Sequence, residues 1–164
     1  MIISLKQYNV ADLKSMYKTN CGTRENQSVK DSELIPPHVI SRSIQQLEDG
    51  LSSIWVAPFQ IVDSESTELV GSCGFKNAPE NQVVEIGYNI GPSYRNRGAA
   101  SQAIALLIEY AFSILPTIKV IARISHENIA SLRVIEKCGF YYESVITDES
   151  CEVLQQWAKV IDQA

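Results

Sequence analysis

Apolar residues recur at helical spacing in four stretches of the chain. Two of them, residues 11–19 and 39–47, lie in the first third and are predicted to be amphipathic helices. The longest, residues 98–115, is apolar on most of its faces, which favours a helix packed against a sheet over one lying on the surface. The last covers residues 129–138 and is predicted to end at Gly139, a residue type that commonly terminates helices.

Runs rich in β-branched and aromatic residues separate the predicted helices and indicate strands. The run at residues 54–62 contains Pro58, which lacks an N–H for a sheet ladder and therefore predicts an edge or bulged strand. The run at residues 68–75 is rich in small residues at its centre. The other predicted strands cover residues 2–5, 83–90, 119–124, 140–146 and 152–160.

The predicted order of elements, β-α-α-β-β-β-α-β-α-β-β, places a strand meander before a strand–helix–strand crossover. This order predicts an α/β (α+β) fold with a mixed, mostly antiparallel sheet of about seven strands. Four helices in total are expected to pack on its two faces. The polar stretch at residues 20–37 is predicted to be a long loop with a binding role. A length of 164 residues fits a single domain over residues 1–164.

Composition and charge disfavour several classes of protein and several kinds of partner. The chain is 45% hydrophobic and 20% charged, with a formal net charge of −5, which disfavours nucleic acid or an anionic membrane surface as a partner. No apolar run approaches the roughly 20 residues of a membrane helix, and the first residues lack the pattern of a signal peptide. Four scattered cysteines without a Cys-x-x-Cys pair argue against a zinc site and a disulfide scaffold, so we expect a cytoplasmic protein without a metal.

A candidate anion site lies where the predicted strand at residues 83–90 turns into the long apolar helix. Arg95, Gly98 and Ala100 form the pattern Arg-x-x-Gly-x-Ala at the start of that helix. The first N–H groups of a helix lack intrahelical partners and carry partial positive charge, and small residues let a phosphate approach them. Arg95 and Arg97 add charged donors. The alternative is that the small residues only allow close packing of the helix on the sheet, and this segment alone leaves both interpretations open.

A second segment favours the anion site over the packing interpretation. Residues 128–140 have the sequence Asn-Ile-Ala-Ser-Leu-Arg-Val-Ile-Glu-Lys-Cys-Gly-Phe. Together with the Arg95 pattern and the Glu85-Ile86-Gly87-Tyr88 sequence ahead of it, this segment resembles the GNAT superfamily of acyl-CoA-dependent N-acetyltransferases. Within that superfamily it is similar to the ribosomal-protein N-terminal acetyltransferases. The resemblance extends from residue 54 to the C-terminus and is densest over residues 85–140.

The resemblance implies an N-acetyltransferase with acetyl-CoA as its co-substrate. The carboxyl end of the predicted strand at residues 83–90 would diverge from its neighbour and bind the pantetheine arm through its backbone. The pyrophosphate would lie on the first turn of the long helix beside Arg95, and Asn128 and Ser131 would lie near the thioester. The residues that the resemblance assigns to acetyl-CoA are Tyr88, Asn89, Ile90, Arg95, Asn96, Arg97, Gly98, Ala99, Ala100, Asn128 and Ser131.

Amide formation from a thioester needs a base for the amine, a donor for the carbonyl oxygen and a proton for the leaving thiolate. Glu85 is the candidate base because it is a charged residue in an otherwise apolar strand; the alternative is a structural carboxylate paired with an arginine or a backbone N–H. Ser131 is the candidate proton donor, and the alternative is a hydroxyl bonded to its own helix. Many family members have a tyrosine four residues before the Gly of Gly-Phe, where this chain has Ile135.

The acceptor is expected to be a primary amine, either a protein N-terminus or a small molecule, and the sequence leaves both open. Direct transfer is expected because no cysteine is placed as an acyl carrier, with Cys73 as the remaining alternative. Two rival interpretations are a CoA-binding regulatory module without turnover and a structural interaction protein. Monomer and homodimer both stay open. By the resemblance, the loops that flank the acceptor pocket carry Glu25, Asp31, Glu33, Asp148 and Glu149.

Overall fold

The computed structural model describes residues 1–21 and 34–161, which form a seven-stranded sheet with helices packed on it. The strands are β1 (Ile3–Gln7), β2 (Phe59–Asp63), β3 (Leu69–Phe75), β4 (Val83–Ile90), β5 (Lys119–Ser125), β6 (Tyr141–Thr147) and β7 (Val153–Lys159). The helices of the described residues are α1 (Val10–Cys21), α2 (Pro37–Glu48), α3 (Ser53–Val56), α4 (Ala99–Ile114) and α5 (Ile129–Lys137), and a short 3-10 turn spans Pro92–Tyr94.

The strand order of the sheet is β1-β2-β3-β4-β5-β7-β6, and neighbouring strands are antiparallel except for β4 and β5. Those two strands are parallel because α4 carries the chain from the end of β4 back to the start of β5. β6 and β7 form the closing hairpin. The prediction of a mixed, mostly antiparallel sheet with one strand–helix–strand crossover is therefore confirmed.

The stretch around Pro58 differs from its prediction. The segment before it forms the short helix α3 instead of a strand, and the side chain of Ser52 caps this helix by accepting a hydrogen bond from the N–H of Ile54. Pro58 lies one residue before β2, and β2 is flanked by β1 and β3, so the edge-strand prediction is wrong. A register shift does occur within β2, as in a bulged strand. A serine cap stabilises the start of this helix, and the apolar content of the segment did not reveal it.

The main core lies between α4 and one face of the sheet. Leu107 is fully buried there, in the same cluster as Val84 and Ile86 of β4. Because side chains alternate along a strand, Glu85 lies on the opposite face. On that face α2 brings Arg42 within electrostatic range of the Glu85 carboxylate. The sheet therefore carries helices on both faces, as predicted.

A smaller apolar cluster joins α1 to α2. Leu13 of α1 packs with Ile40 and Ile44 of α2, and all three side chains are buried. These two helices confirm the amphipathic predictions for the first third of the chain. The predicted binding loop at residues 20–37 falls largely on residues 22–33, which lie outside the described residues. Within the described part, no helix is long and apolar enough to cross a membrane.

β3 and β4 approach each other closely at Gly71. A Cβ at this position would lie 2.2 Å from the carbonyl oxygen of Asn89 and 3.1 Å from the Cα of Ile90. Both are backbone atoms, so neither can yield without displacing the strand. Glycine is therefore required here by the close approach of the two strands.

We expect Gly71→Ala to lower the free energy of unfolding by about 2 kcal/mol or more, because the added methyl group overpacks against backbone. Gly87→Ala on β4 is the matched control, since its Cβ would meet only the flexible end of Lys76 at 3.1 Å. We expect that control to change stability by less than about 1 kcal/mol. Urea denaturation measures both variants, and equal losses would contradict the close approach at Gly71.

Candidate active site

The candidate site begins where β4 and β5 separate. The two strands are paired only from Val83 opposite Lys119 to Glu85 opposite Ile121. Beyond that point β4 stays paired with β3, and β5 stays paired with β7. A wedge therefore opens between the carboxyl ends of β4 and β5, as the resemblance implied.

A cleft of about 620 Å³, called here the first cleft, lies at this wedge next to α4. It is formed by the end of β4, the turn that leads into α4, the first turn of α4 and one side of α5. All the residues that the resemblance assigns to acetyl-CoA line this cleft except Arg97, whose side chain is exposed. The fold thus brings together two separate parts of the sequence, residues 88–101 and 128–137.

The helix α4 begins without a side-chain cap from any described residue. Its N-cap, Gly98, has a φ of 79°, a left-handed conformation that glycine adopts without strain. Asn96, two residues earlier, also has a positive φ of 63°. Ala99 and Ala100 follow at the first cleft, so their N–H groups bring the partial positive charge of a 16-residue helix to it.

Three cationic side chains line the first cleft: Arg95 from the turn before α4, and Arg133 and Lys137 from α5. Among the described residues, no Asp or Glu belongs to its lining. The Nε of Arg95 donates a hydrogen bond to the carbonyl oxygen of Ile90 at 3.0 Å, which holds the guanidinium beside the end of β4. Sequence reasoning missed Arg133 and Lys137, although a spacing of four residues places both on one face of a helix.

The first turn of α5 lies where β4 and β5 separate. The Oδ1 of Asn128 accepts a hydrogen bond from the N–H of Ser131 at 3.2 Å, so Asn128 is the N-cap of α5. The hydroxyl of Tyr88 donates to the carbonyl oxygen of Ser131 at 3.5 Å. Burial raises the pKa of Tyr88, so its hydroxyl stays protonated at neutral pH. Ile135, at the position where many family members have a tyrosine, is fully buried and has no proton to donate.

A second cleft, of about 540 Å³, lies on the opposite face of the sheet beside α2. The register of β3 and β4 places Ser72 opposite Asn89 and Gly74 opposite Gly87 on this face, and these small side chains leave room for a cleft. The residues that line both clefts are Tyr88, Asn89, Asn128 and Ser131. The two clefts therefore meet in the wedge between β4 and β5.

The second cleft carries charges of both signs. Arg42, Lys76 and Arg123 line one part of it, and Asp148 and Glu152 from the turn between β6 and β7 line another. Sequence reasoning did not identify the three cations. They come from α2, the end of β3 and the middle of β5, and strand pairing brings them together.

The acidic residues predicted to flank the acceptor pocket are only partly described. Asp148 lines the second cleft, whereas Glu149 does not. Hydrogen bonds from the side chain of Ser150 and from backbone N–H groups of the same turn hold the pKa of Asp148 below its usual value. The predicted residues that lie outside the described part are Glu25, Asp31 and Glu33.

Glu85 belongs to an ion-pair cluster on the face of the second cleft. Its Oε1 lies 3.0 Å from the Nζ of Lys76, and its Oε2 lies 3.7 Å from a guanidinium nitrogen of Arg123. The side chain is 15% exposed and belongs to the lining of neither cleft. This is the geometry of the structural-carboxylate alternative, and the role of Glu85 as a base stays a prediction.

Comparison with known families agrees with this geometry. The model of the acetyltransferase (GNAT) domain matches residues 3–141. The chain belongs to this family. GNAT acetyltransferases use acetyl-CoA as co-substrate, and the first cleft of this GNAT chain suits it chemically. It offers cations and an uncapped helix start to phosphates, with no described carboxylate in its lining to repel them.

Curated relatives of this GNAT chain match it over part of their length. The uncharacterized N-acetyltransferase p20 of Bacillus licheniformis is 34% identical over 91 residues, which cover 55% of this chain and 51% of that protein. The N-acetyltransferase 9-like protein of Nematostella vectensis is 27% identical over 141 residues, which cover 76% of this chain and 71% of that protein. The chain spans about half the length of the first of these relatives.

Solved structures share the fold of this GNAT chain at low sequence identity. A variant of the spermidine N-acetyltransferase SpeG from Vibrio cholerae has a TM-score of 0.66 at 17% identity, over 96% of this chain and 92% of that chain. The ribosomal-protein-S5-alanine acetyltransferase from Vibrio fischeri has a TM-score of 0.67 at 14% identity, over 98% of this chain and 93% of that chain. These likenesses establish the fold.

We expect Glu85→Gln to lower the free energy of unfolding by about 1–2 kcal/mol, because Lys76 and Arg123 lose their shared carboxylate. Glu109→Gln on the exposed face of α4 is the matched control, and we expect it to change stability by no more than about 0.5 kcal/mol. Chemical denaturation at neutral pH measures both variants. Unchanged stability of E85Q would contradict a structural role for the ion-pair cluster.

Proposed function

We propose that this protein is an N-acetyltransferase that transfers the acetyl group of acetyl-CoA directly to a primary amine. The observation that carries the proposal is that two clefts on opposite faces of the sheet meet in the wedge between β4 and β5. The first cleft suits a phosphate-bearing molecule, and the second is open to an amine. Reactants bound in the two clefts would meet beside Tyr88 and Ser131, which line both.

The first cleft is the proposed binding site for acetyl-CoA. The end of β4, residues 88–90, has separated from β5, so its backbone is the proposed partner of the pantetheine arm. The start of α4 is the proposed partner of the pyrophosphate, with Arg95 beside it and Arg133 and Lys137 facing it from α5. Arg97 is exposed outside the cleft lining, so its side chain would add only long-range positive charge.

The proposed transfer forms one bond and breaks one. The amine nitrogen bonds to the acetyl carbon as the C–S bond breaks, the amine gives up a proton, and the leaving sulfur takes one. Acetyl-CoA supplies the activated acyl group as a thioester. The hydroxyls of Ser131 and Tyr88 are the proposed proton donors on the sulfur side, since both residues line the meeting point of the clefts.

Two further side chains, Cys73 and Glu85, bear on the proposed mechanism. Cys73 is 3% exposed, and burial raises the pKa of its thiol, so it remains protonated and is a poor acyl carrier. Glu85 is held by Lys76 and Arg123, and we propose that it positions these two cations at the second cleft. A role as the base that takes the amine proton is the alternative.

The proposed acceptor is a primary amine of a protein N-terminus or of a small molecule. The Vibrio proteins that share the fold are named as a spermidine acetyltransferase and a ribosomal-protein-S5-alanine acetyltransferase, so this fold accommodates both kinds of acceptor. A CoA-binding regulatory module without turnover is the rival function. Release of the CoA thiol on addition of an amine distinguishes the enzyme from the module.

We expect acetyl-CoA at 100 times its dissociation constant to raise the free energy of unfolding by about 2.7 kcal/mol. Ala100→Glu places a carboxylate in the first turn of α4 at the first cleft, and we expect it to weaken binding by about tenfold or more. Ala105→Glu makes the same change on an exposed position of the same helix and is expected to bind like the parent protein. Thermal melting with and without acetyl-CoA measures the effect, and equal weakening in both variants would contradict the proposed site.

Three substitutions separate the proposed catalytic roles in steady-state assays of thiol release. Ser131→Ala and Tyr88→Phe each remove one of the two proposed proton donors. We expect the variant that lacks the actual donor to have a kcat lower by about 100-fold, with unchanged affinity for acetyl-CoA. We expect Glu85→Gln to raise the KM of the amine with little change in kcat, because it displaces Lys76 and Arg123. Loss of the acidic limb of the pH–kcat profile in E85Q would identify Glu85 as the base and would contradict the positioning role.

A further inference from the structure

Arg42 of α2 is a partly buried cation that lines the second cleft. Its Nε is buried and has no hydrogen-bond partner within residues 1–21 and 34–161, and it forms no ion pair with them. Burial lowers the pKa of Arg42, while the more distant charge of Glu85 raises it. A guanidinium partly withdrawn from water is unfavourable, so a negative charge in the cleft beside Arg42 would stabilise it.

Two more cations lie in the same part of the second cleft. Lys76 and Arg123 both line it, and their common partner is the carboxylate of Glu85 at 3.0 and 3.7 Å. Glu85 also supplies the negative charge that acts on Arg42. Three cations therefore share one carboxylate among the described residues, so the described lining of this part of the cleft carries excess positive charge.

The acidic residues of the second cleft lie at its other end. Asp148 and Glu152 belong to the turn between β6 and β7. β7 pairs with β5 up to Ser125 opposite Leu154, so this turn lies near the carboxyl end of β5 and the wedge. The cations Lys76 and Arg123 therefore lie near the end of the β4–β5 pairing at Ile121, and the acidic pair lies further along, beyond Ser125.

This arrangement suits an acceptor that carries both signs of charge. An ammonium group near the wedge is attracted by Asp148 and Glu152, and an anionic group of the same molecule reaches towards Arg42. A polyamine would instead place a second positive charge beside the three cations. A peptide N-terminus would present a neutral amide beside Arg42, which has no ion pair within residues 1–21 and 34–161.

We propose that the acceptor of the acetyl group is a small amine that also carries a carboxylate, as a free α-amino acid does, and that Arg42 binds this carboxylate. The proposal rests on the proposed acetyl transfer. It adds the chemical class of the second substrate and assigns Arg42 to its recognition. A planar guanidinium suits this task because it donates in a fork that matches the two carboxylate oxygens.

The experiment compares α-amino acids with their own α-amides and with spermidine, using release of the CoA thiol. The members of each acid–amide pair share the amine and the side chain and differ in the carboxylate. We expect kcat/KM to be at least about tenfold higher for the acid than for its amide, as for a charged hydrogen bond. A kcat/KM that is equal for acid and amide, or highest for spermidine, would overturn the proposal and leave acetyl transfer itself intact.

Arg42→Met then tests the assigned residue. We expect it to lower kcat/KM for the acids by about tenfold or more and to change that for the amides by less than about twofold. Lys14→Met on the exposed side of α1 removes one positive charge outside both clefts, and we expect it to change kcat/KM neither for the acids nor for the amides. Arg42→Lys replaces R42M if that variant does not fold. It keeps the positive charge without the planar fork, so we expect it to retain part of the preference for acids over amides. An equal loss for acids and amides in R42M would overturn the assignment.

Binding separates failure of this proposal from failure of the proposed function. Calorimetric titration compares N-acetyl amino acids with their amides in the presence of CoA, and it needs no turnover. If acetyl-CoA binds but no amine releases the thiol, the proposed transfer fails. The carboxylate site is then supported if the acid binds at least about tenfold more tightly than the amide and R42M loses this difference. Equal binding of acid and amide overturns it.

Discussion

The short pairing between β4 and β5 is the constraint on which the candidate site depends. Each strand keeps a continuous partner on its outer side, β3 for β4 and β7 for β5, so the sheet stays intact while its centre opens. Backbone groups on the facing edges of the two strands lose their ladder partners where the wedge begins. An extended substrate with amide groups of its own can take the place of a strand there, which is why the wedge suits the proposed acetyl-CoA site.

The wedge also divides the electrostatics of the molecule. On the side of α4, the cleft lining combines cations with the start of a long helix, and both favour phosphate. On the side of α2, positive and negative groups lie at opposite ends of one cleft. Glu85 connects these features, because its carboxylate forms ion pairs with Lys76 and Arg123, whereas Arg42 has no ion pair with the described residues. The two faces are therefore suited to chemically different molecules.

Most of the fold was predictable from local patterns. Hydrophobic periodicity located β4, α4 and the closing hairpin, and Gly139, whose φ is 83°, located the end of α5. The segment before Pro58 was misassigned because its β-branched and aromatic residues favour a strand, whereas it forms a four-residue helix capped by the hydroxyl of Ser52. Hydrophobic patterning describes so short a segment poorly.

The sequence by itself determined most of the elements, their order and the candidate anion-binding motif around Gly98, because these depend on neighbours within a few residues. The family resemblance identified ten of the sixteen residues that line the first cleft. Only the tertiary structure decided that Arg42, Lys76 and Arg123 share the second cleft, and that Glu85 is bound in an ion-pair cluster. These contacts join residues far apart in the chain, and strand register and helix packing, which no local pattern encodes, set which of them meet.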